Sequence, residues 1–275
     1  MSSHRPEHVA PPEIFYSEEE AKKYTSNSRM IEIQMQMSER AIELLALPDD
    51  QPCFILDIGC GSGLSGEALD DQGHYWAGVD ISKAMLDVAK EREVEGDVIL
   101  GDMGQGLCFR AGTFDGAISI SALQWLCNAD KRTHKPAKRL QAFFTSLYAC
   151  LSRGARAVFQ FYPENSEQIE LVTQQAMKSG FGGGLVVDFP NSTKAKKYFL
   201  VLLTGGPQKL PAALGTEEAP QNHIKYEKTR MKFNKHKSVK SSKEWILQKK
   251  ERRRRQGKEV RADTKYTGRK RSGRF

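Results

Sequence analysis

Three apolar runs in this chain each end on an acid, and the first runs straight into a glycine-rich loop. CFILDIG (53–59) continues as CGSGLSG, so Asp57, Gly59, Gly61, Gly63 and Gly66 fall within ten positions. HYWAGVD (74–80) ends on Asp80, and DVILGDM (97–103) ends on Asp102 and Met103. Glycine lets backbone N–H groups approach a ligand with no Cβ in the way. A carboxylate after the second strand offers two oxygens to a vicinal diol. Such a set holds a nucleoside-bearing cofactor. Gly61, Gly63 and Gly66 also fit G-x-G-x-x-G, with Asp80 at a distance suited to ribose, so the glycines alone leave a dinucleotide open as well. No Ser-His-Asp or Cys-His arrangement for nucleophilic catalysis is evident, and the five cysteines are too scattered for a Cys-x-x-Cys zinc site. They read as buried small hydrophobes in a reducing compartment, and no metal site is expected.

The elements that must position these residues follow from the punctuation. Short apolar runs at 53–59, 74–80, 97–103, 113–120, 156–162, 183–190 and 196–205 predict strands. Helical stretches are predicted from about Leu64, over 82–91, from Pro136 to Leu151 and from Ser166. Strands alternating with helices predict an α/β fold with a doubly wound, mostly parallel seven-stranded sheet. The last two runs leave no room for a helix of ordinary length between them, so they should pair antiparallel at the far side. Ahead of the sheet, SEEEAKKY opens with a capping-box pattern, Ser17 to Glu20. Ile31, Met35, Met37, Ala41, Leu44 and Leu45 then mark an amphipathic helix ending near Pro48.

The net charge of +8 hides a division. Residues 221–275 hold 21 Lys and Arg against 5 Asp and Glu, a net of +16; the other 220 residues hold 21 against 29, a net of −8. A basic extension on an acidic body suits a polyanion, through release of counterions from phosphates. Lys249, Lys250, Arg252, Arg253, Arg254, Arg255, Arg269, Lys270 and Arg271 are the expected RNA contacts, with Trp245, Tyr266 and Phe275 interleaved for stacking. The same run would also serve as a nuclear import signal. The expected organisation is a helical segment 1–48, a catalytic domain 49–205, a flexible connector 206–241 and a basic tail 242–275. No run of about 18 apolar residues and no basic-then-apolar leader is present, so a soluble intracellular protein without a membrane partner is expected.

The D-x-G-x-G-x-G frame from Asp57 to Gly63, followed by Asp80 and Gly-Asp102-Met103, resembles the class I S-adenosylmethionine-dependent methyltransferases over roughly residues 50–205. The resemblance implies a Rossmann-like fold, with Gly59, Gly61 and Gly63 against the methionine and ribose of the cofactor and Asp57 acting through the loop on its amino-acid end. It implies Asp80 on the ribose hydroxyls, Ile81 on an adenine face, and Asp102 and Met103 on the adenine edge. Ser119 joins this set, and Tyr24 with the 1–48 segment covers the site. ISISALQWLCNADK (118–131), QFYPENSEQ (160–168), GFGGGLVVDFPNS (180–192) and the terminal YTGRKRSGRF resemble more narrowly the eukaryotic 18S ribosomal RNA (guanine-N7) methyltransferases, the Williams-Beuren-region and yeast bud-site-selection family.

That resemblance implies N7-methylation of a guanine in small-subunit rRNA during pre-40S assembly, in the nucleus and nucleolus with a cytoplasmic pool. It also implies a small zinc-binding activator subunit. The zinc would belong to the partner, which would cover the third-strand edge at Val98, Ile99 and Leu100, with Leu107, Cys108 and Phe109 nearby. SALQWLCN stands where methyltransferases of exocyclic amines carry an Asn/Asp-Pro-Pro-aromatic turn. Guanine N7 offers an unprotonated lone pair, so no general base is expected and catalysis can rest on positioning. Trp125 with Gln124 and Asn128 is the expected wall for the base, and Tyr162 and Pro163 the opposite one. Trp125 reads equally well as a core aromatic. A second reading keeps the fold as a largely non-catalytic scaffold for pre-40S assembly.

Overall fold

The computed structural model describes residues 5–48, 51–206, 210–215, 246, 247, 250, 254 and 260–263. Among them, seven strands form one sheet: β1 (Phe54–Ile58), β2 (Tyr75–Asp80), β3 (Asp97–Leu100), β4 (Phe114–Ile120), β5 (Leu151–Phe161), β6 (Gly182–Asp188) and β7 (Lys197–Leu203). The order is β3-β2-β1-β4-β5-β7-β6. The first five strands are mutually parallel, and β7 lies antiparallel between β5 and β6. The expected antiparallel pair therefore closes the far side, with the last strand inserted inside the one before it.

Strand side chains alternate between two cores, as the pleat requires. On one face Leu56, Ile58, Ala157, Phe159, Leu200 and Leu202 meet Phe143, Phe144 and Leu147 of α6 (Pro136–Cys150) and Val172 and Ala176 of α7 (Ser166–Lys178). On the other, Ile55, Ile118, Val158, Phe199 and Val201 meet Met37, Ala41, Ile42 and Leu45 of α3 (Ser28–Leu45) and Leu69 of α4 (Leu64–Asp71). This two-sided burial makes the sheet doubly wound. Before α3 come a short α1 (Pro12–Phe15) and α2 (Glu18–Ser26), and after β2 comes α5 (Lys83–Glu91). The Ser17 hydroxyl accepts the N–H of Glu20, while the Glu20 carboxylate turns to Lys23.

Three boundaries differ from expectation for local reasons. β3 stops at Leu100, because Asp102 accepts the N–H of Gly104 and bends 103–105 into a 3-10 turn. β5 starts five residues early, directly from α6. Residues 210–215, expected as connector, are fastened to the body: Arg40 donates to the Ala212 carbonyl and to Asp188, which also accepts the N–H of Leu214. The five cysteines are free thiols; Cys53, Cys60 and Cys150 are buried, but Cys108 is exposed on the segment after β3.

The buried indole of Trp76 explains two glycines. A Cβ on Gly66 would sit 2.1 Å from its ring, and one on Gly96 2.2 Å. Gly66 therefore serves close packing of α4 on β2. Gly66→Ala should lower stability by about 1–3 kcal/mol through overpacking, read as a shifted denaturation midpoint. Cofactor affinity of the folded protein should stay unchanged, because the residue lies off the cleft.

Candidate active site

Parallel strands β1, β2 and β4 end on the same side of the sheet, and the chain must leave it there on both sides of the switch between β1 and β4. The gap is a cleft open to solvent. Gly59 and Gly61, Asp80 and Ile81, and Asp102 and Met103 line it, as do Trp125 and Tyr24. Four successive strand ends thus contribute to one space.

Asp80 is the fixed point of this space. One carboxylate oxygen accepts the N–H of Gly61 at 2.8 Å and the other that of Ser82 at 2.8 Å. Burial raises its pKa, and the backbone N–H groups of Ser82, Gly61 and Ile81 pull the other way. Gly59 and Gly61 have φ of 73° and 52°, and a Cβ on Gly59 would lie 2.3 Å from the Ala122 Cβ. Glycine is required at 59 because the loop after β4 crosses there. Gly63 lies outside the cleft lining: its φ of 79° starts α4, and a Cβ there would strike Val94 at 2.6 Å.

Asp57 is fully buried below the loop and takes the Ser65 hydroxyl at 2.6 Å. Its other oxygen and the Ser62 hydroxyl have no hydrogen-bond partner among the described residues. Burial pushes the Asp57 carboxyl up to about 7, against the Ser65 bond and with the Asp80 charge adding to it. Ser62 and Ser65 themselves face the cleft. A buried carboxylate lacking a full set of donors beside a glycine cradle suits a cofactor that carries positive charge.

Asp102 is divided between two roles. Its Oδ1 accepts Arg139 at 2.7 Å and the N–H of Gly104 at 2.8 Å, which leaves Oδ2 facing Gln105 at 3.4 Å as the side open to an amine. Ser119 lies off the cleft: it is fully buried and donates to the Ile58 carbonyl at 2.7 Å. Its neighbour Ile120 lines the cleft instead, one step along the pleat.

The N-terminal segment closes the top. Tyr16 stands 6.0 Å, centroid to centroid, from both Tyr24 and Trp125, and Phe15 is 6.0 Å from Trp125. Burial raises the pKa of Tyr16 and Tyr24, so both remain neutral phenols. The Ser82 hydroxyl donates to the Tyr16 carbonyl, and Arg5 donates to the carbonyls of Tyr162 and Pro163. Tyr16 was not anticipated from sequence; its aromatic spacing from Tyr24 was the available signal.

Of the residues expected around the base, Trp125 lines the cleft and is 6% exposed. Gln124, Asn128 and Tyr162 lie outside the lining. Gln124 donates to the Ser121 carbonyl at 2.8 Å and holds the loop rather than the cleft. Tyr162 meets the Met37 sulfur at 3.4 Å and lies under Lys197, 5.2 Å from its ring centroid. Ser121 does line the cleft, in the left-handed region at φ 59°. Such backbone costs about 1–3 kcal/mol, offset here by the bonds of Ser121 to Gln160. Arg139 and His134 also line the cleft, flagged in the sequence only by basic residues at a helix start.

In the second compact unit, residues 218–275, the Lys250 ammonium meets the carbonyls of Arg261 and Ala262 and the Asp263 carboxylate, which Arg254 also reaches. Lys249, Arg252, Arg253, Arg255, Arg269, Lys270 and Arg271, with Trp245, Tyr266 and Phe275, fall outside the described residues.

Comparison with known proteins agrees with this geometry. Residues 55–154 match a methyltransferase domain family, and residues 202–273 match the family described as methyltransferase involved in Williams-Beuren syndrome. The chain is 60% identical over 277 residues to 18S rRNA (guanine-N(7))-methyltransferase of Mus musculus, covering 99% of each. It is 52% identical over 278 residues to the 18S rRNA (guanine(1575)-N(7))-methyltransferase of Saccharomyces cerevisiae, covering 98% of this chain and 99% of that one. Among solved structures, phosphoethanolamine N-methyltransferase 2 of Haemonchus contortus superposes with a TM-score of 0.53 at 17% identity, over 70% of this chain and 58% of that one. The last match shows the shared fold.

Below about pH 7 the free protein keeps a proton on Asp57, and a cation in the cleft favours the carboxylate. Affinity for S-adenosylmethionine should therefore rise with pH up to about 7 and level off above it. Calorimetric titrations across that range should show the slope, and Asp57→Asn should flatten it.

Proposed function

The chain belongs to the 18S rRNA (guanine-N7)-methyltransferase family and transfers a methyl group from S-adenosylmethionine to guanine N7 in 18S rRNA, and we propose that its cleft does so by positioning alone. One observation carries the proposal: the glycine loop, Asp80, Asp102 and Trp125 line a single continuous space, in which the acid-bearing strand ends lead directly to an aromatic wall.

S-adenosylmethionine supplies a methyl group on a positively charged sulfur. Asp80, already held by two N–H groups, has its remaining lone pairs for the ribose hydroxyls. Ile81 and Met103, which line the cleft, would hold the adenine, and the open oxygen of Asp102 would take its amine. The orphaned oxygen of Asp57 and the Ser62 hydroxyl below the loop serve the charged amino-acid end. The neutral phenols of Tyr16 and Tyr24 exclude water from above. Guanine N7 needs no proton removed, so the protein has to stack the base and aim its lone pair. Trp125 is the stacking surface, faced by Tyr16 and Phe15. Gln124 holds the loop that presents it, and Asn128 ends the same turn.

The target base must leave its stack to enter, which fits a protein that also grips RNA through its basic tail. We place its work in the nucleus and nucleolus, where 18S rRNA is made, with a cytoplasmic pool.

The activator subunit fits the β3 edge. Ile99 is 41% exposed and Leu100 59%, and Cys108 is exposed on the segment that follows β3. An apolar outer strand is a liability that strand addition by a partner relieves. The zinc would be the partner's. Ile99→Glu with Leu100→Glu should abolish co-purification with the activator, because charges replace the apolar edge it would cover; a complex that still co-purifies and is fully active would contradict the assignment.

Trp125→Ala should lower methyl transfer to small-subunit RNA roughly ten- to hundredfold, the value of about 1–3 kcal/mol of base stacking. S-adenosylmethionine affinity should stay within a few fold, and Trp125→Phe should recover most of the rate. An unchanged rate in the alanine variant would make Trp125 a packing residue only.

A further inference from the structure

KRTHKPAKR (131–139) puts five cations and no acid into nine residues of a body whose net charge is negative. They divide into two kinds. Lys131 and Arg139 line the cleft and are paired, Lys131 with Glu13 at 3.5 Å and Arg139 with Asp102 at 2.7 Å. Arg132, Lys135 and Lys138 are exposed and have no ion-pair partner among the described residues.

Helix stability does not explain these three. Lys135 immediately precedes α6 and Lys138 lies in its first turn, which contains no acid. The macrodipole favours negative charge there and makes cations a cost. Nor do they anchor the loop, whose side-chain fastenings include Glu13 to Lys131, Asp130 to His134 and Asp102 to Arg139. Their position does have a use. Lys131, His134 and Arg139 belong to the cleft wall together with Trp125, and Arg132, Lys135 and Lys138 are their exposed neighbours in the chain. A base drawn into that cleft brings its flanking phosphates to the rim.

We propose that Arg132, Lys135 and Lys138 form a phosphate-binding rim that holds the RNA backbone beside the target guanine, a second RNA contact separate from the tail. The proposal rests on the reading of the cleft as an RNA guanine methyltransferase site. It accounts for cations left unpaired on an acidic body, since they gain by releasing counterions from phosphate. It also adds affinity at the cleft to the capture that the tail supplies.

The test compares the full chain, co-expressed with its activator, with the triple variant Arg132→Ala, Lys135→Ala, Lys138→Ala. Binding of labelled small-subunit precursor RNA is measured over a series of salt concentrations, beside single-turnover methyl transfer and a titration of S-adenosylmethionine. The triple variant should bind RNA roughly tenfold or more weakly, with a log–log salt slope shallower by about 2. Transfer at saturating RNA and cofactor affinity should stay near the unaltered values. Lys135→Arg with Lys138→Arg should behave as the unaltered chain. An unchanged slope would overturn the proposal. So would loss of the activator without loss of RNA affinity, which would assign the rim to a protein partner. If the triple variant fails to bind cofactor, Arg132→Gln alone, on the exposed loop, decides by whether it shows a proportionate part of the slope change. Should the unaltered protein transfer no methyl group, the reading of the activity fails, and the RNA-binding arm still decides the rim.

Discussion

A carboxylate set at the end of a central strand and withdrawn from water must find donors, and Asp80 finds them in the N–H groups of Gly61 and Ser82. Those two bonds join three segments. One fixes the glycine loop after β1; the other fixes the start of α5, where the Ser82 oxygen accepts the N–H of Met85. The same hydroxyl donates to the Tyr16 carbonyl, so the aromatic cover over the cleft is tied to the carboxylate beneath it. Floor, wall and roof depend on one half-buried acid.

The acceptor side is locked to the cofactor side by contact rather than by charge. Ala122 occupies the space a Cβ on Gly59 would need, which sets the loop after β4 directly on the glycine loop. The left-handed Ser121, held by Gln160 and Gln124, makes that crossing possible. Arg139 draws the start of α6 onto Asp102 from the other direction. Cofactor and base can therefore be presented to each other on a frame that needs little reorganisation, as catalysis by positioning demands.

The strand ends carrying Asp80, Asp102 and Trp125 were legible in the sequence because the alternation of apolar runs and helices fixes which side of the sheet they reach. Single-residue offsets were less so. Ser119 and Ile120 are neighbours, yet only Ile120 faces the cleft, since one step along a strand changes face. Gly66 fits a cofactor motif by spacing and serves Trp76 by packing, a distinction only the partner side chain reveals. Tyr162 ends the right strand but turns toward Met37 and Lys197. The roof was least legible: Arg5 reaches Tyr162 across 157 residues of chain, a closure no local pattern encodes.

The central claim is that the Asp80-centred cradle holds S-adenosylmethionine. Its most direct test is calorimetric titration of S-adenosylmethionine, with NAD as control, into the activator-bound chain and into Asp80→Lys. Saturable binding of S-adenosylmethionine alone, lost in the variant, is the predicted result. Binding that survives in Asp80→Lys, or saturable binding of NAD, would contradict it.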